Sequence, residues 1–398
     1  MKNTKKILLM SVAAAILMGG VLVYSTSGED NTVVVLDNQK FEIDSQLAIK
    51  SMDNVKSFEG VEWLNGGEIL GVKDQFIFSD DASKPKAKLC IYNPEDKSFQ
   101  ELATANEKEW IGIGDISEDE RYVFYSVLLN GDLEANVYDY YVLDLESRST
   151  TKLVEKATAF SNLENNQVIV ASGMKVYRCD VKGNVEEISL PKELIDKLSD
   201  FTSFSFDDYL DTYYRNEVVE GERRKLIESD YNHKKEHNGI KSMFLKEHKL
   251  TLESGNVKEF TYDMDEKTYK VGVEGLKKWT SDNSKRTKIE WNKSGNAILW
   301  KINVNGEEVK IIEEGKPYLS VTESPNKSKA VYYFDGKTTS ADSVYVYDLN
   351  TDEKIKIFPE AIGHAYWNHS SKGFFMTSRK VDGNKSYYYV TSIVKLND

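Results

Sequence analysis

An all-β fold of repeated four-stranded antiparallel sheets is predicted by three observations. The stretch WNKSGNAILW (Trp291–Trp300) has a bulky residue, then Asn or Ser, turn-formers, and an apolar run, and this arrangement recurs. Copies start at Trp63, Ile116-Ser117, Phe160-Ser161, Glu323-Ser324-Pro325 and Trp367-Asn368. A second signature follows most copies: an alternating aromatic strand ending in Asp or Asn, a turn, and another strand. It reads LCIYNPEDKSFQEL (Leu89–Leu102), YYVLDLESRSTTKL (Tyr140–Leu153), KVYRCDVKGNVEEI (Lys175–Ile188) and VYVYDLNTDEKIKI (Val344–Ile357). Alternation of Tyr, Val and Ile marks half-buried strands, and the Asp, Asn, Gly and Ser between them mark hairpin turns. The third observation is spacing. Steps of 53, 44, 32 and 44 residues separate the starts, close to the roughly 40–50-residue period of β-propeller blades.

A propeller suits such units physically. A lone four-stranded sheet has two apolar faces and buries neither, whereas radial stacking buries both and leaves only short edges. Seven blades fit the spacing best, with six or eight open. The 131-residue gap from Phe160 to Trp291, with a weak start at Phe204-Ser205, predicts one or two degenerate blades between residues 200 and 290. Trp63, Trp291 and Trp367 share the start position and are expected in packing between blades, where one Trp buries on the order of 200 Å².

Taken in order, the chain opens with three lysines (Lys2, Lys5, Lys6) before an apolar run from Ile7 to Tyr24. At about 1.5 Å per residue this run spans roughly 27 Å, close to a bilayer core. Residues 1–28 are therefore read as a signal anchor, with the lysines cytoplasmic and the rest outside. Cleavage after Ser27 is the alternative, although the run exceeds the usual h-region. No Cys lies nearby, which excludes a lipoprotein anchor. Residues 29–54 form a linker with a closing strand at Thr32–Gln39, or else the final Tyr387–Leu396 completes the last blade. Residues 55–398 form the propeller, with an irregular insertion at about 190–288. Within it Pro191–Phe201 reads as a short helix, since Leu194, Ile195, Leu198 and Phe201 share one face. Glu220–Ser242 is nearly all polar and reads as an exposed loop or charged helix.

The paired signatures resemble the TolB-like β-propeller repeat, whose blade start reads Trp-Ser-Pro-Asp-Gly before an apolar strand. The nearest matches are WNKSGNAILW and ESPNKSKAVYY, with YVYDLNTDEKIKI as the third-strand pattern. The resemblance covers about residues 55–190 and 288–396. It implies a propeller that serves as a binding scaffold or as a gate on a peptidase domain. Only Pro325 is retained of the Pro-Asp-Gly.

The chemistry of the chain points away from several function classes. A net charge of −13 sets it against nucleic acid and anionic lipid surfaces, so the membrane is reached through the N-terminal helix only. A propeller-gated serine peptidase needs a Gly-x-Ser-x-Gly elbow, which is absent. HKKEH (His233–His237) matches a zinc-binding helix in form, with Glu236 as base and His248 as a third ligand. Its polar flanks favour a solvated loop. The acid clusters Asp263–Lys267 and Ser79–Ser83 read as hairpin turns rather than calcium loops. Cys90 and Cys179 fall on equivalent strands of non-neighbouring blades, beyond the reach of a disulfide, and are expected unpaired and buried. No catalytic, cofactor or metal residue is assigned, and no cofactor is expected. The reading is a non-catalytic extracytoplasmic binding scaffold, tethered to the membrane or secreted if cleaved, that engages a protein, peptide or cell-envelope ligand through propeller loops. The alternative is a lyase or glycan hydrolase with its active site at the mouth of a central channel.

Overall fold

The computed structural model describes residues 32–35, 47–76, 85–107, 109–128, 137–199, 240–246, 248–254, 259–272, 285–294, 296–313, 319–334, 344–382 and 386–397. In chain order, β1 (Thr32–Val35) and β2 (Ile49–Lys56) precede a first meander of β3 (Phe58–Trp63), β4 (Ile69–Lys73), β5 (Lys88–Asn93) and β6 (Ser98–Thr104). The next comprises β7 (Trp110–Ile116), β8 (Tyr122–Leu128), β9 (Tyr138–Asp144) and β10 (Ser149–Ala157). It is followed by β11 (Ala159–Phe160), β12 (Gln167–Ser172), β13 (Lys175–Asp180) and β14 (Val185–Ile188). Helix α1 (Lys192–Ser199) leads to β15 (Ile240–Lys246), β16 (Lys249–Ser254), β17 (Glu259–Asp263) and β18 (Thr268–Gly272). Then come β19 (Thr287–Trp291), β20 (Ala297–Ile302) and β21 (Glu308–Glu313), and β22 (Leu319–Glu323), β23 (Lys329–Phe334), β24 (Val344–Asp348) and β25 (Lys354–Ile357). The last are β26 (Ala365–Trp367), β27 (Gly373–Asp382) and β28 (Ser386–Leu396).

Each group is one sheet whose strands pair in chain order, giving seven sheets among the described residues. The fold is all-β, of the four-stranded antiparallel type expected. All six predicted starts fall at the last residue of a first strand, from Trp63 in β3 to Trp367 in β26. The gap before Trp291 holds one described sheet, β15–β18. The weak start at Phe204-Ser205 lies outside the described residues, as do the N-terminal apolar run, Ser79–Ser83 and His233–His237. The 32-residue step corresponds to β19–β21, a sheet with three described strands.

The recurring Ser or Asn is a turn clamp. Ser117 Oγ accepts from Tyr122 N at 2.9 Å, Ser324 Oγ from Lys329 N at 3.0 Å, and Ser161 Oγ from Ile169 N at 3.0 Å. Asn292 Oδ1 accepts from Asn296 N at 3.0 Å and Asn368 Oδ1 from Gly373 N at 3.2 Å. The acidic or amide residue ending each third strand works likewise on the next hairpin: Asn93, Asp144, Asp180 and Asp348 accept from the backbone two residues on. Asp263 does the same for Asp265 and Glu266, so Asp263–Lys267 is the β17–β18 turn, as expected. Such Asx turns satisfy donors that the hairpin leaves unpaired.

The chain divides into two compact units, one of residues 1–85, 89–101 and 280–398, the other of 86–88 and 102–279. In the first unit the leading strands of successive sheets lie side by side: β19 on β22, β22 on β26, β26 on β3. This fanning about the first strands is the packing of propeller blades. The final sheet runs β2-β28-β27-β26, so a strand from near the N-terminus completes the C-terminal meander, in register from Ile49 opposite Leu396 to Lys56 opposite Val390. The earlier strand β1 adds in parallel to β25. Trp63 and Trp367 are buried, and each indole reaches back to the preceding first strand: Trp63 Nε1 donates to Tyr366 O at 2.8 Å, Trp367 Nε1 to Thr322 O at 3.2 Å. Glu323 at the equivalent position accepts from Arg286 N and Thr287 N instead. Trp291 departs from expectation. It is 62% exposed, where Trp63 and Trp367 are buried.

In the second unit β11 lies against β15, and β10 against β12. Helix α1 packs Leu194 and Leu198 into a core with Leu245, Leu250 and Phe260, while Ile195 is half-buried. Pro191 O accepts from Leu194 N and Ile195 N, starting the helix at the predicted residue. Cys90 and Cys179 are both unpaired and buried, as expected, and burial pushes each thiol up to about 12.

Candidate functional site

The groups most unusual for their setting lie where β3 meets β26, β27 and β28. Strand β3 reads Phe-Glu-Gly-Val-Glu-Trp. A bulge between Gly60 and Glu62 breaks its pairing with β4, so Phe58, Gly60 and Trp63 are buried while Glu62 is exposed. The last sheet approaches β3 closely at Gly60, where a Cβ would meet Phe375 and Thr391 at 3.2 Å. Gly60 pairs with Gly71, and a Cβ on Gly71 would stand 2.3 Å from Glu59 O. Hydroxyls from the last sheet grip the β3 backbone. Thr391 Oγ1 accepts from Gly60 N at 2.9 Å and donates to Phe58 O at 2.8 Å, and Thr377 Oγ1 donates to Gly60 O at 3.2 Å.

Glu59 is held in this seam. Burial pushes its carboxyl up to about 7, against the hydrogen bond from the Tyr389 hydroxyl and the positive charge of Arg379, which favour the anion. Gln75 Nε2 approaches Glu59 Oε2 at 3.5 Å. Arg379 Nε donates to Tyr389 Oη at 3.1 Å, linking the neighbouring strands β27 and β28. On β26, Tyr366 stacks on Phe375 with ring centres 4.9 Å apart and remains 38% exposed. Burial raises the Tyr366 hydroxyl, and Glu59 and Glu62 raise it further, which places both carboxylates within electrostatic reach of it. His364 meets Tyr366 edge to face at 4.9 Å, and its Nδ1 lies 3.4 Å from Thr322 Oγ1. Burial lowers its basicity.

The result is an exposed Tyr-His-Glu surface beside a carboxyl that exchanges its proton near neutrality. Such a surface can present hydrogen-bond donors, acceptors and an aromatic edge to a ligand. None of these residues was singled out from the sequence. Of the residues that were, His248 sits exposed in the β15–β16 turn, 3.9 Å from Asp265. Among the described residues no group of three His, Cys, Asp or Glu side chains converges as a metal would require.

No family model matches the sequence, and no curated protein does. Among solved structures the chain is similar to the C-terminal WD40 domain of Sif2, at 11% identity over 88% of this chain and 99% of that one, with a TM-score of 0.43. It is similar to an oligogalacturonate lyase in complex with manganese, at 9% identity over 87% and 98%, with a TM-score of 0.35. It is also similar to TolB from Acinetobacter baumannii, at 9% identity over 78% of this chain and 59% of that chain, with a TM-score of 0.28. These are β-propellers; none assigns the chain to a family or an activity.

Proposed function

We propose that the protein is a seven-bladed, TolB-like propeller held outside the cytoplasm by its N-terminal apolar run, and that it binds a protein, peptide or cell-envelope ligand. The tether rests on the Lys-flanked run Ile7–Tyr24, with secretion after cleavage at Ser27 as the alternative. The observation that carries the binding reading is the exposed aromatic and polar surface of Tyr366, His364 and Glu62 on neighbouring first strands. Exposed, rigidly backed aromatics beside polar groups are the usual anchors of recognition surfaces. A photo-crosslinking residue at position 366 tests it in cells. A discrete adduct at 366, lost on His364→Ala and not formed from Val304, which is 96% exposed on a distant turn, supports the reading. Equal adducts from both positions, or none from 366 in a folded chain, overturn it.

A lyase or glycan hydrolase draws on one observation, the pairing of Glu59, pushed up to about 7, with Glu62 beside Tyr366. Turnover of uronate or glucan oligosaccharides that Glu59→Gln abolishes would establish that alternative.

A further inference from the structure

Strand β1 ties the N-terminal apolar run to one particular end of the sheets. Tyr24 closes the run and Thr32 opens β1. At about 3.4 Å per residue, the eight steps between them reach at most about 27 Å. Strand β1 is pinned to β25 in parallel, from Thr32 opposite Lys354 to Val35 opposite Ile357. The returning chain is caught at the same end of β25, where Leu47 N donates to Glu353 Oε2 at 2.9 Å. The register carries that point across the sheet. Lys354 pairs with Tyr347, Tyr347 with Ala330, and Ala330 with Glu323, so Thr32 stands in one row with the last residue of β22. Four strand spacings of about 4.8 Å put about 19 Å between Thr32 and Glu323. Glu323 occupies the position of Trp367 in β26 and Trp63 in β3, and these strands carry Tyr366 and Glu62 one residue earlier. His364 lies in the same place, its Nδ1 3.4 Å from Thr322 Oγ1. The chain that follows the apolar run therefore joins the sheet at the end that bears the Tyr366 surface.

We propose that the Tyr366 surface faces the membrane and takes the juxtamembrane segment of a second protein held in the same bilayer. This rests on the tethered binding reading and narrows its partner. Hung from β2 alone, the propeller would trail on residues 25–48, about 85 Å of extended chain, with no end turned to the bilayer. Pairing of β1 shortens the leash to about 27 Å and gives it a direction. A ligand far from the membrane is then shielded from Tyr366 by the propeller itself. Anionic lipid headgroups fit this end poorly: Glu62 adjoins Trp63, whose indole binds Tyr366 O, and the chain carries a net charge of −13. A protein segment meets no such bar.

The test uses the full chain in phosphatidylcholine vesicles that carry a fluorescent-lipid acceptor. One donor dye is placed at Lys372→Cys, exposed in the turn after Trp367, or at Val304→Cys, 96% exposed in the turn after β20 at the other end. Cys90 and Cys179 are buried and stay unlabelled. Energy transfer should report position 372 about 20 Å nearer the bilayer than 304, the length of a six-residue strand. Val33→Pro together with Val34→Pro removes backbone donors from β1, and should erase that difference while the sheets stay folded. In cells, the adduct from a photo-crosslinking residue at 366 should map to a partner residue within about 20 residues of a membrane-spanning stretch, which covers the reach of the tether with room for a bend. A chain that leaves the vesicles in an alkaline wash fails the tether, and no adduct from 366 fails the binding reading; either takes this proposal with it. Equal transfer from 372 and 304 in a retained chain, a difference unmoved by the prolines, or an adduct on lipid or on a soluble protein overturns this proposal alone.

Discussion

Three tryptophans occupy one position of the repeat, and the structure gives them different consequences. Trp63 is 3% exposed, its ring lies 5.7 Å from Phe375, and its Nε1 donates to Tyr366 O at 2.8 Å. Truncation to Ala forfeits on the order of 200 Å² of burial, or about 5 kcal/mol at 25 cal/mol per Å². The lost hydrogen bond adds about 1 kcal/mol, and partial collapse of the cavity returns some of the total. The expected cost of Trp63→Ala is about 4–5 kcal/mol. Trp63→Phe keeps most of the burial and loses the bond, so about 1–2 kcal/mol is expected. Trp291→Ala, at a residue 62% exposed, should cost less than about 1 kcal/mol. Urea unfolding followed by far-UV circular dichroism, with matched slopes, measures all three. Equal losses for Trp63→Ala and Trp291→Ala would refute the argument from burial. Equal losses for Trp63→Ala and Trp63→Phe would refute the assignment of most of the energy to packing.

Two further predictions concern neighbouring interfaces. Gly71→Ala places a methyl 2.3 Å from Glu59 O and 2.6 Å from the Phe58 ring, so a backbone must move, and a loss of about 3 kcal/mol or more in the midpoint of urea unfolding is expected. Lys301 is buried, and its ammonium pairs with Asp352, which also accepts from Tyr347 Oη at 2.6 Å. Burial opposes ionisation of Asp352, yet the bonds from Lys301 and Tyr347 hold it below the usual carboxylate range. Asp352→Asn keeps the left-handed backbone at φ 63° but leaves the buried ammonium without its counter-ion, for a loss of about 3 kcal/mol. Adding Lys301→Met should recover most of that loss; a double variant no better than Asp352→Asn would count against the pairing.

Much of the fold was legible because its turns are chemical. A Ser or Asn that accepts from the backbone four to eight positions on, and an Asp or Asn that accepts two positions on, leave marks at recognisable places whatever the strands pack against. Those marks located every first strand except β15. The sheet of β15–β18 carries the second mark at Asp263, but its first strand ends in Lys246 with none of the usual Trp-Asn or Ile-Ser. The exposure of Trp291 was not legible, because burial of a start residue is decided by tertiary packing and not by its own neighbours in sequence.

Glu59 was illegible for a related reason. In FEGVEW the two acids are three residues apart, so a regular strand would put them on opposite faces and its pattern singles out neither. The pairing with β4 shifts between Gly60 and Glu62, with Glu59 half-buried in the seam and Glu62 exposed. The strand that grips Gly60, β28, lies more than three hundred residues away. No local pattern encodes it. The features that fix each sheet are local and repeat along the chain. The feature that makes this seam chemically distinct arises where the repeat must join its own end, where strands from both ends of the chain pack together. A site built on a repeat is therefore best sought where the repetition is interrupted by closure.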